Sequence, residues 1–509
     1  MKFLGKLFNL LSKRLTIVAV LILMQFIFIG LTLYAFSSYY YYVNAVLILL
    51  SIVATVIVVN NNSDPGYKLA WAVSILIAPL FGGILYLSVG GQKMTRWAGK
   101  RIPLEVLDAR VEKDLTATIE VPQIRQQAVY IQDHARFSPQ DHTETTYYPT
   151  GETMFEAMLK ELEAAEHYIF LEFFIYEEGE MWNQIMDILE RKARQGLDVR
   201  MIYDDVGSVN TLPRRYYKKM REKGIRCYVF NPFVPFIFFR MNNRTHRKIL
   251  VIDGYTSFTG GINLADEYIN VKERFGHWKD TGIMLKGAAT WNLTAMFLDN
   301  WNFLSAAENR KNRDHYRPDR YHTLPEGTGL VAPYGCTPIT PYSVASTVYC
   351  NLIDKAENYL YITTPYLIPN NEIMRCLARA ALNGVDVRIL TPHKWDKYLI
   401  HILTQSNYRE LIAAGVKIYE YTPGFIHAKS MVCDDELAII GTINLDYRSL
   451  YLHFEDAVWL YQTPMIADMK EDFLQTQQLC EEVTPEFLKN RPVFRRAIGW
   501  LIKLFGPLV

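Results

Sequence analysis

The chain has 509 residues, of which 50% are hydrophobic and 13% aromatic, so it is long enough for two or three domains and apolar for a purely soluble protein. Its 54 lysine and arginine residues balance 53 aspartate and glutamate residues, for a formal charge of +1. This balance provides no overall positive field for a polynucleotide, so a nucleic-acid partner is disfavoured and contact with lipid is favoured.

The apolar excess lies at the start of the chain, in three runs that are each about long enough to cross a hydrocarbon layer of roughly 30 Å. They predict transmembrane helices near residues 15–36, 39–59 and 69–89, within a membrane region of residues 1–100. The alternative is a cleaved signal peptide followed by core helices. It is disfavoured because the first run is too long for a signal-peptide apolar segment and no small-residue cleavage site ends it.

Basic residues flank the membrane region at both ends and leave its orientation open. The two clusters are Lys2, Lys6, Lys13 and Arg14 before the first run, and Lys93, Arg96, Lys100 and Arg101 after the third. Because basic residues prefer the cytoplasmic side, three full crossings would put the clusters on opposite sides. Either one run is re-entrant or the rule is broken, and Pro79 with Gly82 and Gly83 makes the third run the best candidate for a broken helix. The cluster after Val89 favours a cytoplasmic catalytic region.

From about residue 129 the chain repeats one pattern of helices and apolar strands. Residues 154–176 match 348–367 in pattern, and residues 191–204 match 378–392. Helices that alternate with buried strands are typical of α/β units around sheets with a parallel portion. We therefore predict an α/β fold of two pseudo-repeated halves with mixed sheets, at residues 129–325 and 326–490.

Each half contains the pattern H-x-K-x4-D-x6-G-x-x-N without a gap. Its members are His246, Lys248, Asp253, Gly260 and Asn263 in the first half, and His427, Lys429, Asp434, Gly441 and Asn444 in the second. A single copy would fit the solvent face of an edge strand equally well. Two copies in register within a repeat predict one active site that both halves form together.

The residue types fit phosphodiester chemistry. A phosphodiester has a negatively charged centre and a poor leaving group, so its site needs positive donors, a nucleophile and a proton donor. Histidine, with an unperturbed pKa near 6.5, suits both the attack and the proton transfer. We expect one histidine to attack phosphorus while the other moves the proton. We expect Lys248 and Lys429 to hold the phosphoryl oxygens, and Asn263 and Asn444 to add neutral hydrogen bonds. This chemistry calls for no metal and no cofactor.

Four carboxylates accompany the motif. Asp253 and Asp434 belong to the candidate catalytic set through the motif itself. Each lies at an odd offset from its histidine and begins a turn, so we expect it to fix the end of the strand and not to act as acid or base. Glu455 and its first-half counterpart Asp280 are better candidates for orienting an imidazole, and the alternative is that both are ordinary surface carboxylates.

The paired motifs closely resemble the phospholipase D superfamily, which is named for them, and within it the bacterial cardiolipin synthases. The resemblance extends from "GGILYLSVGG" through "HRKILVIDG" and "HAKSMVCDD" to "GTINLDYRSL". It implies that two phosphatidylglycerols become cardiolipin and glycerol through a phosphatidyl-histidine, with His246 as nucleophile and His427 as acid and base. It also implies a multi-pass protein of the cell membrane. His453 departs from the asparagine that relatives often carry before the "FE" pair.

Two further segments favour contact with lipid. The insertion before His246 contains "FVPFIFFRM", which is either a loop that dips into the membrane or one that packs into the core. Residues 491–509 combine basic and apolar side chains, which predicts either an amphipathic helix on anionic lipid or a docked terminal helix.

Other functions remain open at this point. A lipid-hydrolysing phospholipase D or a phosphatidylserine-forming transferase would use the same residues, because water and other hydroxyl groups attack the same intermediate. A superfamily nuclease is disfavoured by the membrane segments and the neutral charge. A catalytically silent lipid-binding scaffold would have no need of either histidine.

Overall fold

The computed structural model describes residues 23–31, 34, 39–90, 114–232, 242–305, 313–340 and 342–508. They fall into two compact units. The first holds the described residues within Met1–Lys93, Val234–Asn242 and Pro492–Val509, and the second holds those within Met94–Phe233 and Asn243–Arg491. The predicted membrane-dipping loop at residues 233–241 lies outside the described residues.

The second predicted membrane run forms one long helix, α1 (Tyr40–Val59). Within the described part of the chain, its segment Tyr41–Val59 is the one helix long and apolar enough to cross a membrane. Most of its side chains are exposed, which is what a lipid-facing helix requires. The first predicted run is described only at residues 23–31 and 34, so the structure does not test whether it crosses.

The third predicted run is two short helices instead of one, α2 (Pro65–Ile77) and α3 (Pro79–Val89). The break falls at Ala78 because a residue before proline avoids helical torsion angles, and Ala78 adopts φ −129° and ψ 75°. At 1.5 Å per residue each helix is about 20 Å long or less. Neither helix alone spans a hydrocarbon layer of roughly 30 Å.

The helix α3 folds back along α2 as a hairpin. The hydroxyl of Tyr67, near the start of α2, donates to the carbonyl of Gly90, just after α3, at 3.0 Å. The amide of Asn61 donates to the Tyr86 hydroxyl at 3.2 Å. Gly82 allows the close approach, since a Cβ there would lie 2.4 Å from the Ser74 carbonyl oxygen. The two ends of the hairpin therefore lie together.

The second unit contains two mixed sheets with the same strand order, which confirms the predicted pair of α/β halves. The first-half strands are β1 (Thr143–Tyr148), β2 (Tyr168–Phe173), β3 (Asp198–Asp204), β4 (Arg226–Phe230), β5 (Lys248–Ile252), β6 (Thr256–Gly260), β7 (His277–Lys279) and β8 (Gly282–Gly287). The second-half strands are β9 (Leu330–Cys336), β10 (Tyr359–Thr363), β11 (Asp386–Pro392), β12 (Lys417–Tyr421), β13 (Gly424–Ile426), β14 (Ser430–Cys433), β15 (Leu437–Gly441), β16 (Glu455–Tyr461) and β17 (Cys480–Glu482).

The first sheet has the order β1-β8-β6-β5-β2-β3-β4, and the second has β9-β16-β15-β14-β10-β11-β12 with β17 added at its edge. In each sheet three neighbouring strands are parallel, β2-β3-β4 and β10-β11-β12, and the remaining pairs are antiparallel. The motif strands β5 and β14 occupy equivalent central positions, and β5 is buried along its whole length. Burial on both faces explains the continuous apolar runs after each motif lysine.

Helices cover the sheets of the second unit. They are α4 (Pro122–Tyr130), α5 (Gly151–Ala164), α6 (Glu180–Arg194), α7 (Tyr216–Glu222), α8 (Thr290–Leu304), α9 (Val344–Lys355), α10 (Asn371–Leu382), α11 (Tyr398–Ala413), α12 (Tyr447–Tyr451), α13 (Met465–Gln477) and α14 (Pro485–Asn490). One hydrophobic core contains residues of both halves, so the halves are docked and not merely linked.

The helix α4 contacts the second half although it precedes the first. The side chain of Gln127 donates to the Asn351 carbonyl at 2.9 Å and accepts from the Trp459 indole at 3.2 Å. The predicted start of the first half at residue 129 falls inside this helix. Sequence periodicity can locate a helix, but it does not show which half the helix packs against.

The chain ends in the first unit with α15 (Val493–Lys503). Its exposed large apolar side chains are Val493, Phe494, Trp500 and Leu501. Just beyond α15, Pro507 packs near Gly66 of α2: a Cβ added at Gly66 would lie 3.3 Å from Pro507 Cγ. The amphipathic C-terminal helix is thus present as a helix, with an apolar face that the rest of the described chain leaves uncovered.

Candidate active site

A short parallel pairing between the halves sets one part of the site. The strand β13 pairs with β7, residue against residue, from Gly424 with His277 to Ile426 with Lys279. The backbone N–H of His427 then donates to the Lys279 carbonyl at 2.7 Å. The next residue after each strand, His427 on one side and Asp280 on the other, therefore emerges beside its counterpart.

The equivalent pairing on the other side brings the first histidine to the second half. Thr245 bridges Phe454 in parallel, and the backbone N–H of His246 donates to the Phe454 carbonyl at 2.8 Å. The N–H of Phe454 donates in turn to the Arg244 carbonyl at 2.8 Å. His246 is held next to Glu455 by backbone bonds that do not depend on either side chain.

Each imidazole pairs with the carboxylate of the opposite half. The Nδ1 of His246 lies 2.8 Å from Glu455 Oε2, and the Nδ1 of His427 lies 2.7 Å from Asp280 Oδ2. A carboxylate only accepts, so the Nδ1 that faces it carries the hydrogen and Nε2 keeps its lone pair; at His427 the Lys429 Nζ also lies 2.9 Å from Nδ1, beside this hydrogen bond. All four side chains are buried. The arrangement gives two nitrogen nucleophiles or bases in one site.

Both imidazoles are neutral at pH 7 before substrate binds. Burial and then the neighbouring ammonium groups of Lys248 and Lys429 hold the pKa of His246 well below its usual range. Burial, followed by Lys429, lowers the pKa of His427 to about 4. A neutral imidazole is the form that can attack phosphorus or accept a proton.

Each motif lysine places its amino group next to the motif histidine of its own half. The ammonium of Lys248 donates to the His246 carbonyl at 2.8 Å, and that of Lys429 donates to the His427 carbonyl. Both are buried, and burial lowers the pKa of Lys248 to about 8 and that of Lys429 to about 7. A phosphate anion bound between them would favour their charged forms.

The two motif asparagines are fixed by the protein. Asn263 accepts from the backbone N–H of Ile175 at 3.1 Å and donates to the Tyr268 hydroxyl at 2.7 Å. Asn444 donates to the Ser449 hydroxyl at 3.2 Å, and its Oδ1 is buried without a hydrogen-bond partner among the described residues. Their predicted role as phosphate ligands stays a prediction.

The structure does not bring Asp253 and Asp434 to the imidazoles. They stand at the far ends of β5 and β14, in left-handed backbone with φ of 52° and 51°. Each carboxylate accepts from three successive backbone N–H groups at 2.7 to 2.9 Å. The donors are Glu166, His167 and Tyr168 for Asp253, and Glu357, Asn358 and Tyr359 for Asp434. These contacts are those of carboxylates that fix the ends of strands, and a catalytic role for Asp253 and Asp434 stays a prediction.

Replacing Asp253 by Asn is expected to lower stability and to spare chemistry. The neutral amide tolerates the left-handed backbone but loses charge-assisted bonds to the start of β2, at a cost of roughly 1–3 kcal/mol. Thermal unfolding in detergent, compared with Asp314→Asn on the exposed surface, checks this. A variant with unchanged unfolding and lost turnover per folded molecule would contradict the structural role.

The two halves differ in the small residue that lies next to each imidazole-orienting carboxylate. A Cβ at Gly261 would lie 1.9 Å from Asp280 Oδ1, so only glycine leaves room for the carboxylate. The corresponding residue in the second half is Thr442, whose hydroxyl donates to Glu455 Oε2 at 2.5 Å. One half therefore makes space for the shorter acid, and the other adds a donor for the longer one.

Gly261→Ala is expected to lower kcat by about 10²-fold, because it displaces Asp280 and with it the His427 imidazole by a sizeable fraction of an ångström. Steady-state turnover of a phosphodiester measures this loss. Gly83→Ala is the matched control, since no atom lies within 4 Å of an added Cβ at Gly83. Equal activity in the two variants would show that Asp280 does not position His427.

Two ring side chains lie next to these carboxylates, and neither is predicted from the sequence to contact them. The Trp278 indole Nε1 lies 3.4 Å from Asp280 Oδ2, and His453 Nδ1 lies 3.5 Å from Glu455 Oε1. Each stands two positions before its carboxylate, Trp278 within β7 and His453 in the bend that precedes β16. The spacing W-x-D in one half and H-x-E in the other was the signal that could have found them.

A third unpredicted residue, Asp456, ties the halves together beside the site. Its carboxylate accepts from the Lys248 backbone N–H at 3.3 Å and from the Thr259 hydroxyl at 2.5 Å, both in the first half. Burial raises the pKa of Asp456 to about 7. Its side chain thus holds the start of the motif strand β5 against β16.

The side-chain atoms that could bind a metal ion give little support for a cation site. Donor atoms of His246, His453 and Glu455 lie within 4.8 Å of one another, the one such group of three in the described chain. The Arg448 Nε–H, however, donates to His453 Nε2 at 3.2 Å. A neutral imidazole that accepts at Nε2 carries its hydrogen on Nδ1, so the nitrogen facing Glu455 offers no lone pair. The cluster fits hydrogen bonding better than metal binding.

Known proteins are similar to this chain in sequence and in fold. A family model described as cardiolipin synthase, PLD-like domain matches residues 158–275 and 349–477, and one described as phospholipase D-nuclease N-terminal matches residues 49–91. The cardiolipin synthases of Alkalihalophilus pseudofirmus and Geobacillus kaustophilus are each 34% identical to the chain, over 87% of it and 89% of their own length. An uncharacterized protein of Streptococcus mutans is 44% identical over 75% of this chain and 82% of its own.

The fold comparison agrees with the sequence comparison. The crystal structure of phosphatidylserine synthase from Haemophilus influenzae superposes with a TM-score of 0.55 at 16% identity, over 75% of this chain and 98% of that one. At that identity the likeness shows the two-half α/β architecture alone. Together with the sequence matches over most of the chain, it shows that the chain belongs to the cardiolipin synthase family of phospholipase D-like proteins.

Proposed function

We propose that the protein joins two phosphatidylglycerol molecules into cardiolipin and releases glycerol. The observation that carries this proposal is the pair of buried imidazoles, each held at Nδ1 by a carboxylate of the other half and each accompanied by a lysine. The relatives named cardiolipin synthase support the choice of lipid.

In the first step, Nε2 of His246 attacks the phosphorus of one phosphatidylglycerol, and the bond from phosphorus to the headgroup glycerol oxygen breaks. His427 gives that oxygen a proton, and glycerol leaves. Burial and then the lysine charges keep this imidazole neutral in the empty site; the anionic lipid favours protonated His427 because it offsets the lysine charges. The product of the step is a phosphatidyl group on His246.

In the second step, a headgroup hydroxyl of a second phosphatidylglycerol gives its proton to His427 Nε2. Its oxygen attacks phosphorus, the phosphorus–nitrogen bond breaks, and the electron pair returns to His246. Cardiolipin leaves, and the proton on His427 returns to solvent until the next anionic lipid binds. Water in place of the second lipid would give phosphatidic acid through the same steps, so the acceptor decides between synthesis and hydrolysis.

The phosphoryl oxygens lie between Lys248 and Lys429 in this proposal, which sets the expected pH dependence. In the free enzyme these ammonium groups lose their protons as the pH rises through about 7 and about 8. We expect kcat/KM to fall over that range, and kcat to fall only at higher pH because bound phosphate favours the charged lysines. The Lys429→Arg side chain stays charged over this range. If the variant retains turnover, its kcat/KM should therefore begin to fall at a higher pH. A flat alkaline profile for kcat/KM would contradict the role of the lysines.

For the membrane unit we propose two crossings and a re-entrant hairpin. The first apolar run and α1 cross, and the hairpin of α2 and α3 enters and leaves at the same face, as the contact between Tyr67 and Gly90 supports. This arrangement puts the basic clusters before residue 15 and after residue 92 on one side, the cytoplasmic side. It removes the conflict that three full crossings would create, and it places the catalytic unit in the cytoplasm.

Cysteine labelling tests this topology. We expect Asn62→Cys and Lys93→Cys to react with a membrane-impermeant maleimide only after the cells are permeabilised, and Tyr39→Cys to react in intact cells. The unsubstituted chain gives the background from its own cysteines, of which all but the half-buried Cys480 are buried. Reaction of Lys93→Cys but not of Asn62→Cys in intact cells would show that the hairpin crosses.

We also propose that α15 lies on an anionic lipid surface. Its exposed apolar side chains, Phe494 and Trp500 among them, share the helix with Arg495, Arg496 and Lys503. Aromatic and aliphatic side chains beside basic ones are typical of an interfacial helix.

The reaction itself is tested with purified protein in detergent micelles that contain phosphatidylglycerol as the only lipid, with products identified by mass spectrometry. Cardiolipin with an equal amount of glycerol, unchanged by a metal chelator, is the expected result. Phosphatidic acid as the main product would replace the synthase by a hydrolase.

A further inference from the structure

The carboxylate that orients His246 has one oxygen without a settled partner. Glu455 is fully buried, and its Oε2 accepts from His246 and from Thr442. Its Oε1 has no hydrogen-bond partner among the described residues, and His453 Nδ1 lies 3.5 Å away. A buried carboxylate oxygen without a donor is costly, so a ring nitrogen at this distance calls for an explanation.

The His453 ring is prepared to be a donor. Its Nε2 accepts from the Arg448 Nε–H at 3.2 Å, and its backbone N–H donates to the Arg448 carbonyl at 3.0 Å. Burial lowers the pKa of His453 to about 3, so the ring is neutral near pH 7. With Nε2 occupied as an acceptor, the single ring hydrogen lies on Nδ1, which faces Glu455.

The first half repeats the arrangement with a different ring. Trp278 stands two positions before Asp280, as His453 stands two positions before Glu455. Its indole N–H points to Asp280 at 3.4 Å, and its ring lies 5.3 Å from the His427 ring between centroids. The His453 ring lies 5.7 Å from the His246 ring. Both active-site carboxylates thus have a ring nitrogen within 3.5 Å, from the residue two positions before them in the sequence.

We propose that His453 is a positioning residue for His246: locked by Arg448, its Nδ1–H donates to Glu455 Oε1 and fixes the carboxylate in the geometry that the reacting imidazole needs. This inference rests on the proposed role of His246. The contact shortens when substrate binds, as catalytic hydrogen bonds that are long in a free enzyme commonly do. Indole in one half and imidazole in the other perform the same task, since a ring N–H is all that the position requires.

The test compares His453→Phe, which keeps a ring but has no donor, with His453→Asn, which restores an N–H. Their activity is measured on bis(4-nitrophenyl) phosphate, a soluble phosphodiester whose leaving group needs no proton, and on micellar phosphatidylglycerol. The soluble diester reports the attack by His246 whatever the lipid acceptor is. A wild-type chain that turns over the diester but forms no cardiolipin would thus disprove the proposed function while still testing His453.

We expect His453→Phe to lower kcat on the diester about 10- to 100-fold, the effect of losing one hydrogen bond to a buried charge, with KM changed by less than about twofold. In this variant the loss of activity at low pH should begin at a higher pH. With one hydrogen bond fewer, the Glu455 carboxylate stabilises protonated His246 more strongly and raises the pKa of that imidazole. His453→Asn recovers most of kcat and the wild-type profile. Wild-type kcat in His453→Phe, or equal losses in both variants together with lower unfolding temperatures, would overturn the proposal.

Discussion

His427→Ala is expected to convert the enzyme into a single-turnover trap on bis(4-nitrophenyl) phosphate. The 4-nitrophenolate leaves without a proton, so His246 can still attack and become phosphorylated. Without His427 no base activates water or alcohol to remove the phosphoryl group. A burst of one equivalent of 4-nitrophenolate, a covalent adduct located on His246 by mass spectrometry, and a steady rate reduced by at least about 10³-fold are the expected observations.

His246→Ala is the matched control for that experiment and should give neither burst nor adduct. Each histidine has a carboxylate at Nδ1 and a lysine beside it, so the asymmetry between these two variants decides which histidine attacks. A burst with an adduct on His427 in the His246→Ala variant would reverse the assignment. Steady turnover in both variants would show that neither imidazole forms the intermediate.

Glu455→Gln and Asp280→Asn are each expected to lower kcat by about 10²- to 10⁴-fold, although each removes only a charge. An amide can donate to Nδ1, which favours the tautomer with its hydrogen on Nε2. An imidazole in that tautomer can neither attack phosphorus nor accept a proton. Steady-state kinetics on micellar phosphatidylglycerol measure the loss, and Asp314→Asn on the surface gives the reference.

The pairing across the halves gives these two variants different signatures. Glu455 holds His246, so Glu455→Gln should suppress the nitrophenolate burst itself. Asp280 holds His427, so Asp280→Asn should leave the burst and block later turnovers. If each carboxylate served the histidine of its own half, the two outcomes would be exchanged.

Much of the site follows from the sequence because its residues lie on regular strands or directly before them. The paired motif locates both histidines and both lysines, since residues two apart in a strand share a face. The odd offset of Asp253 separates it from them, and its three backbone donors explain why the position needs a carboxylate. Local geometry along one chain segment determines all of these features.

Features that depend on how the halves dock are not visible in the sequence. Nothing in either half shows that Glu455 reaches His246, because that contact depends on Thr245 pairing with Phe454 between the halves. The contacts of Trp278 and His453 with Asp280 and Glu455 become visible only when the carboxylates are placed. The packing of α4 on the second half depends on tertiary contacts in the same way.

In the membrane region, local chemistry predicts the break and docking decides its consequence. Pro79 ends α2 because it lacks an N–H and restricts Ala78. Whether the next helix continues across or returns depends on packing, here on Gly82 against Ser74 and on Tyr67 with Gly90. The number of apolar residues is the same whether the segment crosses the membrane or turns back. Composition alone therefore predicts a third membrane-spanning helix.

The stereochemistry at phosphorus tests the central claim, a covalent phosphatidyl-histidine in a site that both halves build, most directly. A single-isomer phosphorothioate analogue of phosphatidylglycerol is supplied as the only lipid, and the configuration of the transferred phosphorus in the product is read by ³¹P NMR. Two successive in-line displacements, first by His246 and then by the second lipid, each invert the centre, so the account predicts net retention. Net inversion would mean that the second lipid attacks directly, and it would contradict the phosphohistidine and the separate roles assigned to the two imidazoles.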